Sequence, residues 1–155
     1  MELANILAES SVLVCAEPLS KTELFETLAH TAAEACGHDF HAIREALEQR
    51  ESLGSTGLGD GIAIPHGKVA GLNGVTAVFA RLESPIDFDA VDDQPVDMVM
   101  MLLAPQGAGA DHLKALSRVA RLLRTEDVRE GLRRSSDPKR LYAILTTQRE
   151  TPHAA

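Results

Sequence analysis

The sequence predicts an α/β (α+β) sandwich in one domain, with helices on both sides of a sheet. Three observations carry that expectation. Two strongly apolar runs, Val75 to Leu82 and Val96 to Leu103, read as strands, and the second is so continuously apolar that both of its faces must be covered. Amphipathic helical patterns precede and follow them. No internal repeat, low-complexity run or linker divides the 155 residues, a length that can bury a core without disulfides or metal. The expected domain is 1–147, with a short flexible tail at 148–155.

Taken in order, Ser11 to Cys15 reads as a modest first strand. Ser20-Lys21-Thr22-Glu23 has the form of a capping box, and Leu24, Phe25, Leu28, Ala29 and Ala32 follow at helical spacing. Gly37 ends that helix, Asp39 can cap the next, and Phe40, Ile43, Leu47 and Arg50 then share one face. In the glycine-rich stretch Gly54 to Gly67, Pro65 presets its own φ and pushes Ile64 toward extended geometry. Ile62-Ala63-Ile64 is therefore expected as a short buried strand that aims His66 in a fixed direction. Between the two strong strands, Glu83 to Pro95 is acidic and loop-like. Gln106 to Ala110 is flexible in composition, and Asp111 is a good N-cap for a helix that buries Leu113, Leu116, Val119, Ala120 and Leu123 and carries His112 in its first turn. Two further helices are expected, one capped at Thr125 through Leu132, the other opening at Asp137-Pro138 and packed by Leu141, Ile144 and Leu145.

Composition excludes several functions. A net charge of -8 and a pI near 5.2 argue against nucleic acid as a partner, because counterion release needs clustered Lys and Arg. The arginines between Arg118 and Arg140 alternate with apolar residues at helical spacing and read as a solvated face. Aromatics make up 3% of the chain and tryptophan is absent, so stacking platforms are not expected. Cys15 and Cys36 read as buried free thiols in a reducing cytosol. The opening residues carry neither a basic cluster nor a long apolar run, so no signal peptide or membrane insertion is expected and the cytoplasm is the expected location.

The stretch Gly54 to Gly67 concentrates unusual demands. Gly54, Gly57, Gly59 and Gly61 permit positive φ and close approach of backbone N–H groups to something bulky or anionic, and Gly67 leaves room beside His66. It is not a Walker A loop, since five residues separate Gly61 from Gly67-Lys68 and Val69 follows. Nor is it a dinucleotide fingerprint, because Ile62 stands where glycine or alanine is needed and the loop follows a helix. No Gly-x-Ser-x-Gly elbow is present. Cys36, His38 and His41 offer metal-ligand chemistry, but they lack a second pair at zinc spacing and a polar helix-terminal turn explains them. His66 at a Pro-His-Gly strand end and His112 at a helix N-terminus together suit an anion or a phosphoryl group, with His66 as nucleophile. Two placements of Arg50 stay open: paired at the site, or turned to solvent to complement the negative end of its helix.

The run Gly54-Ser55-Thr56-Gly57-Leu58-Gly59-Asp60-Gly61-Ile62-Ala63-Ile64-Pro65-His66-Gly67 closely resembles the phosphorylation-site motif of the fructose/mannitol-type enzyme IIA domains of the bacterial phosphoenolpyruvate-dependent phosphotransferase system. Phe88-Asp89-Ala90, Asp93-Gln94-Pro95-Val96-Asp97, Leu103-Ala104-Pro105 and His112-Leu113-Lys114-Ala115-Leu116 extend the resemblance over nearly the whole chain. Within the family the sequence is most similar to the stand-alone nitrogen-regulatory branch, IIA-Ntr. The resemblance implies a mixed β-sheet sandwiched between helices. It makes His66 the phosphoryl acceptor, His112 the second active-site histidine and Arg50 the arginine near the phosphate. Backbone N–H groups of Gly57, Gly59, Gly61 and Gly67, and of Leu113 beside His112, would hold the phosphoryl oxygens with no metal or cofactor required. The implied donor is a histidine phosphocarrier protein. The implied output is phosphorylation-dependent regulation of targets such as a sensor kinase or a potassium transporter, or else transfer onward to a separate IIB protein for sugar uptake.

Overall fold

The computed structural model describes residues 2–147, so the expected tail at 148–155, with its histidine His153, lies outside the described residues. After a short 3-10 turn at Leu3–Asn5, the chain runs through β1 (Leu7–Cys15), α1 (Lys21–Cys36), α2 (Phe40–Ser52), β2 (Gly57–Gly59), β3 (Ile62–Ala63) and β4 (His66–Val69). It continues through β5 (Thr76–Ile86), β6 (Val96–Pro105), α3 (Gly109–Arg124), α4 (Glu126–Arg133) and α5 (Pro138–Thr146). The six strands form one mixed sheet in the order β1-β5-β6-β3-β2, with β4 also pairing β6 beyond the end of β3. β1 runs parallel to β5 and β6 parallel to both β3 and β4, whereas β5–β6 and β2–β3 are antiparallel.

The two long central strands dictate a three-layer molecule, because each is apolar on both faces. Val78, Ala80, Val99, Met101 and Leu103 pack against Leu24, Phe25, Leu28, Ile43 and Leu47 of α1 and α2. The alternate residues Ala77, Phe79, Met98, Met100 and Leu102 pack against Ala115, Val119, Leu123, Val128, Leu132 and Leu141 of α3, α4 and α5. Phe79 and Met100 are register partners on the same face, so a one-residue slip would exchange the two cores.

The local signals act as expected at most boundaries. Ser20 and Glu23 form the capping box reciprocally at 3.0 and 3.1 Å, and Gly37 closes α1 at φ 65°. Asp39 accepts the Ala42 amide at 3.0 Å, and Asp137 accepts that of Lys139 at 3.1 Å with Pro138 opening α5. β1 starts at Leu7, earlier than Ser11, because its pairing with β5 resumes at Leu7↔Ala77 across a register shift that a periodicity count cannot see. β5 continues to Ile86, four residues past Leu82, where Ile86 pairs with Val96 after a second shift. The acidic loop after β5 is anchored by Phe88, fully buried with its ring 6.0 Å from that of Phe25.

α3 departs from expectation in both start and phase. It begins at Gly109 behind Ala108, so Asp111 is its third residue rather than its cap. Its buried face is His112, Ala115, Val119 and Leu123, while Leu113, expected inside, is 65% exposed. Burying the imidazole of His112 rotates the helix away from the phase that leucine spacing alone would choose.

Candidate functional site

Asp60-Gly61 is the turn of a tight β-hairpin joining β2 to β3, with φ values of 58° and 78°. Positive φ at both central residues is the type I′ geometry that Asp-Gly favours. β3 then meets Pro65, and the chain resumes as β4 along the same neighbour: Ile62 and Ala63 pair with Met98 and Val99, His66 and Gly67 with Leu102 and Leu103. Side chains alternate along β4, so His66 shares the face of Leu102, toward α3, and Gly67 faces α2.

His66 Nδ1 lies 2.9 Å from the carbonyl oxygen of Ile64, which can only accept; Nδ1 therefore carries the proton and Nε2 presents a free lone pair. The half-buried imidazole has a pKa below its ordinary 6.5, chiefly through burial; the bond to Ile64 opposes that shift, Arg50 adds to it and Glu51 counteracts it. The ring of His112 lies beside it, its centroid 5.4 Å from that of His66 and tilted by 59°. Burial likewise holds His112 below 6.5, with the charges of His66 and Lys68 acting in the same direction. Its Nδ1 is buried without a hydrogen-bond partner among the described residues. Two neutral imidazoles side by side give a nucleophile that needs no deprotonation and a neighbour able to donate or accept one hydrogen bond.

Arg50 makes its hydrogen bond at the end of its own helix. It stands in the last turn of α2, half-buried, and donates from Nη1 to the carbonyl of Gly54 at 2.9 Å, capping the chain just past its own helix. Its charge also acts on His66 from the opposite layer, across the edge of β4 that no further strand among the described residues covers.

The glycines take up packing roles. A Cβ on Gly57 would stand 2.8 Å from Cβ of Ala90, one on Gly59 would meet Asp92 at 3.3 Å, and one on Gly61 would collide with Arg133 and Asp97 at 2.5 and 2.7 Å. One on Gly67 would meet the backbone of Ala46 at 3.2 Å. The missing side chains at these four positions admit the β5–β6 loop, the Asp97–Arg133 pair and helix α2. Leu113 is the fifth residue of α3, a position whose amide falls inside the helical ladder, as that of His112 already does by bonding Ala108 O at 2.9 Å. The amides of α3 without helical partners are those of Gly109, Ala110 and Asp111.

Cys36, His38 and His41 do not converge. His38 Nδ1 accepts the Asp39 amide and Nε2 donates to Ala70 O, both at 2.8 Å, while His41 packs edge-on against Phe40. Among the described residues no group of three His, Cys, Asp or Glu side chains could hold a metal ion.

Sequence reasoning missed a second charged cluster behind the site. Glu51 pairs with Lys21 at 2.9 Å and accepts both the amide and the hydroxyl of Thr56, at 3.0 and 2.6 Å. The signal was there, since Glu51 lies four residues after Leu47 and so continues the stripe that was followed only to Arg50.

Comparison with known proteins agrees with this geometry. The family described as "Phosphoenolpyruvate-dependent sugar phosphotransferase system, EIIA 2" matches residues 5–148. The chain is 48% identical over 145 residues to a nitrogen regulatory protein of Bradyrhizobium diazoefficiens, covering 94% of this chain and 95% of that one. It is 40% identical over 129 residues to a fructose-specific EIIA component of Haloferax volcanii, covering 83% and 84%. The crystal structure of the nitrogen regulatory protein IIA-Ntr from Neisseria meningitidis superimposes with a TM-score of 0.87 at 38% identity, over 93% of this chain and 99% of that one. Fold, motif and relatives agree, and the chain belongs to the EIIA 2 family of the phosphoenolpyruvate-dependent sugar phosphotransferase system.

Proposed function

We propose that this IIA component accepts a phosphoryl group on Nε2 of His66 from the phosphohistidine of a small phosphocarrier protein. The observation that carries the reading is the bond from His66 Nδ1 to Ile64 O, which leaves one nitrogen, in a lowered-pKa imidazole, to attack. In the transfer, the bond between phosphorus and the donor's histidine nitrogen breaks as the bond to Nε2 forms. Arg50 supplies guanidinium N–H groups to the phosphoryl oxygens, and His112 hydrogen-bonds or orients the acceptor. Such chemistry asks for in-line positioning and stabilisation of spread charge, so no metal or cofactor is invoked. The protein acts as a phosphohistidine carrier more than as a turnover enzyme.

The biological output is regulation, by a phosphorylation-dependent change in binding to a target such as a sensor kinase or a potassium transporter; the relatives named nitrogen regulatory proteins support that side. A second reading, in which the group passes on to a separate IIB protein for sugar uptake, draws on the fructose-specific relative. No helix among the described residues is long and apolar enough to cross a membrane, and the proposed setting is the cytoplasm.

Incubation with phosphoenolpyruvate, enzyme I and the phosphocarrier tests the acceptor role. Label on His66 that is acid-labile and base-stable is the expected result, and label that persists in His66→Ala sinks it. Equal binding of a regulatory target to the phosphorylated and unphosphorylated forms would remove the switch, and passage of label to a IIB protein would support the sugar branch.

A further inference from the structure

The last turn of α2 carries two charged neighbours. Arg50 belongs to the acceptor site; Glu51 has no part in the transfer as proposed above, yet its side chain is 9% exposed and fully engaged. A carboxylate withdrawn from water at the negative end of a helix is unfavourable by itself. Three donors offset that cost: Lys21 Nζ at 2.9 Å, the Thr56 amide at 3.0 Å and the Thr56 hydroxyl at 2.6 Å. Each donor is tied elsewhere. Lys21 opens α1, and its ammonium also reaches Phe88 O at 3.3 Å and lies 4.2 Å from the Phe88 ring centroid.

Thr56 is the more consequential partner. Its carbonyl accepts the Ile64 amide at 3.0 Å, and the Ile64 carbonyl accepts His66 Nδ1–H at 2.9 Å. An unbroken line of bonds therefore runs from Glu51 through Thr56 and Ile64 to the acceptor imidazole. Two residues before Thr56, the Gly54 carbonyl holds Arg50 at 2.9 Å. Both members of the site are thus referenced to one short segment, residues 54–56, and that segment is fastened by Glu51.

We propose that Glu51, held by Lys21, is a positioning residue for phosphoryl acceptance: by clamping Thr56 it fixes the Ile64 peptide that orients His66 and the Gly54 carbonyl that Arg50 grips. The inference rests on His66 being the acceptor. A side chain held by a clamp stays in register for in-line attack, whereas a loose 54–56 segment lets the imidazole and the guanidinium drift independently. The charge of Glu51 also reaches His66, pulling its pKa up against the push of Arg50.

The test uses the full-length protein and the variants Glu51→Gln, Thr56→Val and Thr56→Ser. Steady-state transfer from the phosphocarrier is measured alongside thermal unfolding and an NMR titration of the His66 imidazole. In Glu51→Gln and Thr56→Val, kcat is expected to fall roughly ten- to a hundredfold, the scale of a small misplacement of reacting groups, with KM for the carrier little changed. Thr56→Ser keeps both the amide and the hydroxyl and is expected to restore transfer. The His66 titration in Glu51→Gln is expected to move to lower pH. Folded Glu51→Gln and Thr56→Val with wild-type kcat would overturn the proposal, as would an unchanged His66 titration with losses that track the unfolded fraction. Should Glu51→Gln fail to fold, Thr56→Val against Thr56→Ser decides. If the wild-type protein takes no phosphoryl group on His66, the acceptor reading fails, while the titration still reports whether Glu51 governs the imidazole.

Discussion

Gly67 and Ala46 meet with no side chain between them: a Cβ at position 67 would stand 3.2 Å from the carbonyl carbon, the carbonyl oxygen and the Cβ of Ala46. Ala46 lies one helical turn before Arg50, and Gly67 directly follows His66, so this contact sets how closely the helix that carries Arg50 approaches the strand that carries His66. Gly67→Ala is expected to push α2 off β4 at about 1–3 kcal/mol, the usual scale of overpacking. Transfer should fall further than the lost stability explains. Denaturant melts run beside the transfer assay separate the two effects, and a melt-only change would remove the link to Arg50.

The tautomer of His66 predicts which phosphohistidine forms. With Nδ1–H donated to Ile64 O, phosphorus must bond to Nε2. Nitrogen-15 and phosphorus-31 NMR of the phosphorylated protein distinguish the two isomers, and an Nδ1 adduct would contradict the geometry.

Acidification should destabilise the fold through the two site histidines. Both have folded pKa values below the ordinary 6.5, so the unfolded chain takes up protons first as pH falls. Their contribution to stability is therefore complete above that value, declines as pH falls through 6.5, and levels off once pH drops below the folded values. The same shifts keep Nε2 of His66 unprotonated to lower pH than a free imidazole, so the acidic limb of the transfer profile should have its midpoint below 6.5. Melts of wild type and His66→Gln/His112→Gln across this range check the sign, since the double variant loses this part of the slope.

The Asp97–Arg133 pair offers the opposite kind of variant. Arg133 binds Asp97 in a fork at 2.9 and 3.1 Å and donates to Asp60 O at 2.8 Å, pinning α4 to the hairpin turn beside a cleft of about 420 Å³. Its side chain is 41% exposed and that of Asp97 21%, so solvent screening limits Asp97→Ala to about 1 kcal/mol. The turn sits at the Met98 end of β6, with His66 four register positions on at Leu102. Melting should drop by a few degrees. Transfer at a temperature where the variant is folded should match wild type.

Much of the fold was legible because its signals are local. The capping box at Ser20, the Gly37 stop, the Asp39 and Asp137 caps and the two apolar strands need only neighbouring residues to be read. The misreadings depend on partners distant in sequence. Leu113 turned outward because His112 had to face His66, a contact across 46 residues of chain (112 − 66). A glycine advertises close approach without saying to what; here the neighbours that a Cβ would meet are Ala90, Asp92, Asp97, Arg133 and Ala46. His66 and His112 were found together because each carried its own backbone marker, a preceding proline for one and a helix start for the other. Glu51 carried none.

Pro65 interrupts the line of β3 and β4, and the interruption frees the Ile64 carbonyl to meet His66. The tautomer of His66 is thereby written into main-chain atoms. Every residue has a carbonyl, so replacing the side chain at position 64 leaves the group that selects the tautomer in place, and a sequence can drift widely around this imidazole while the same ring nitrogen stays free.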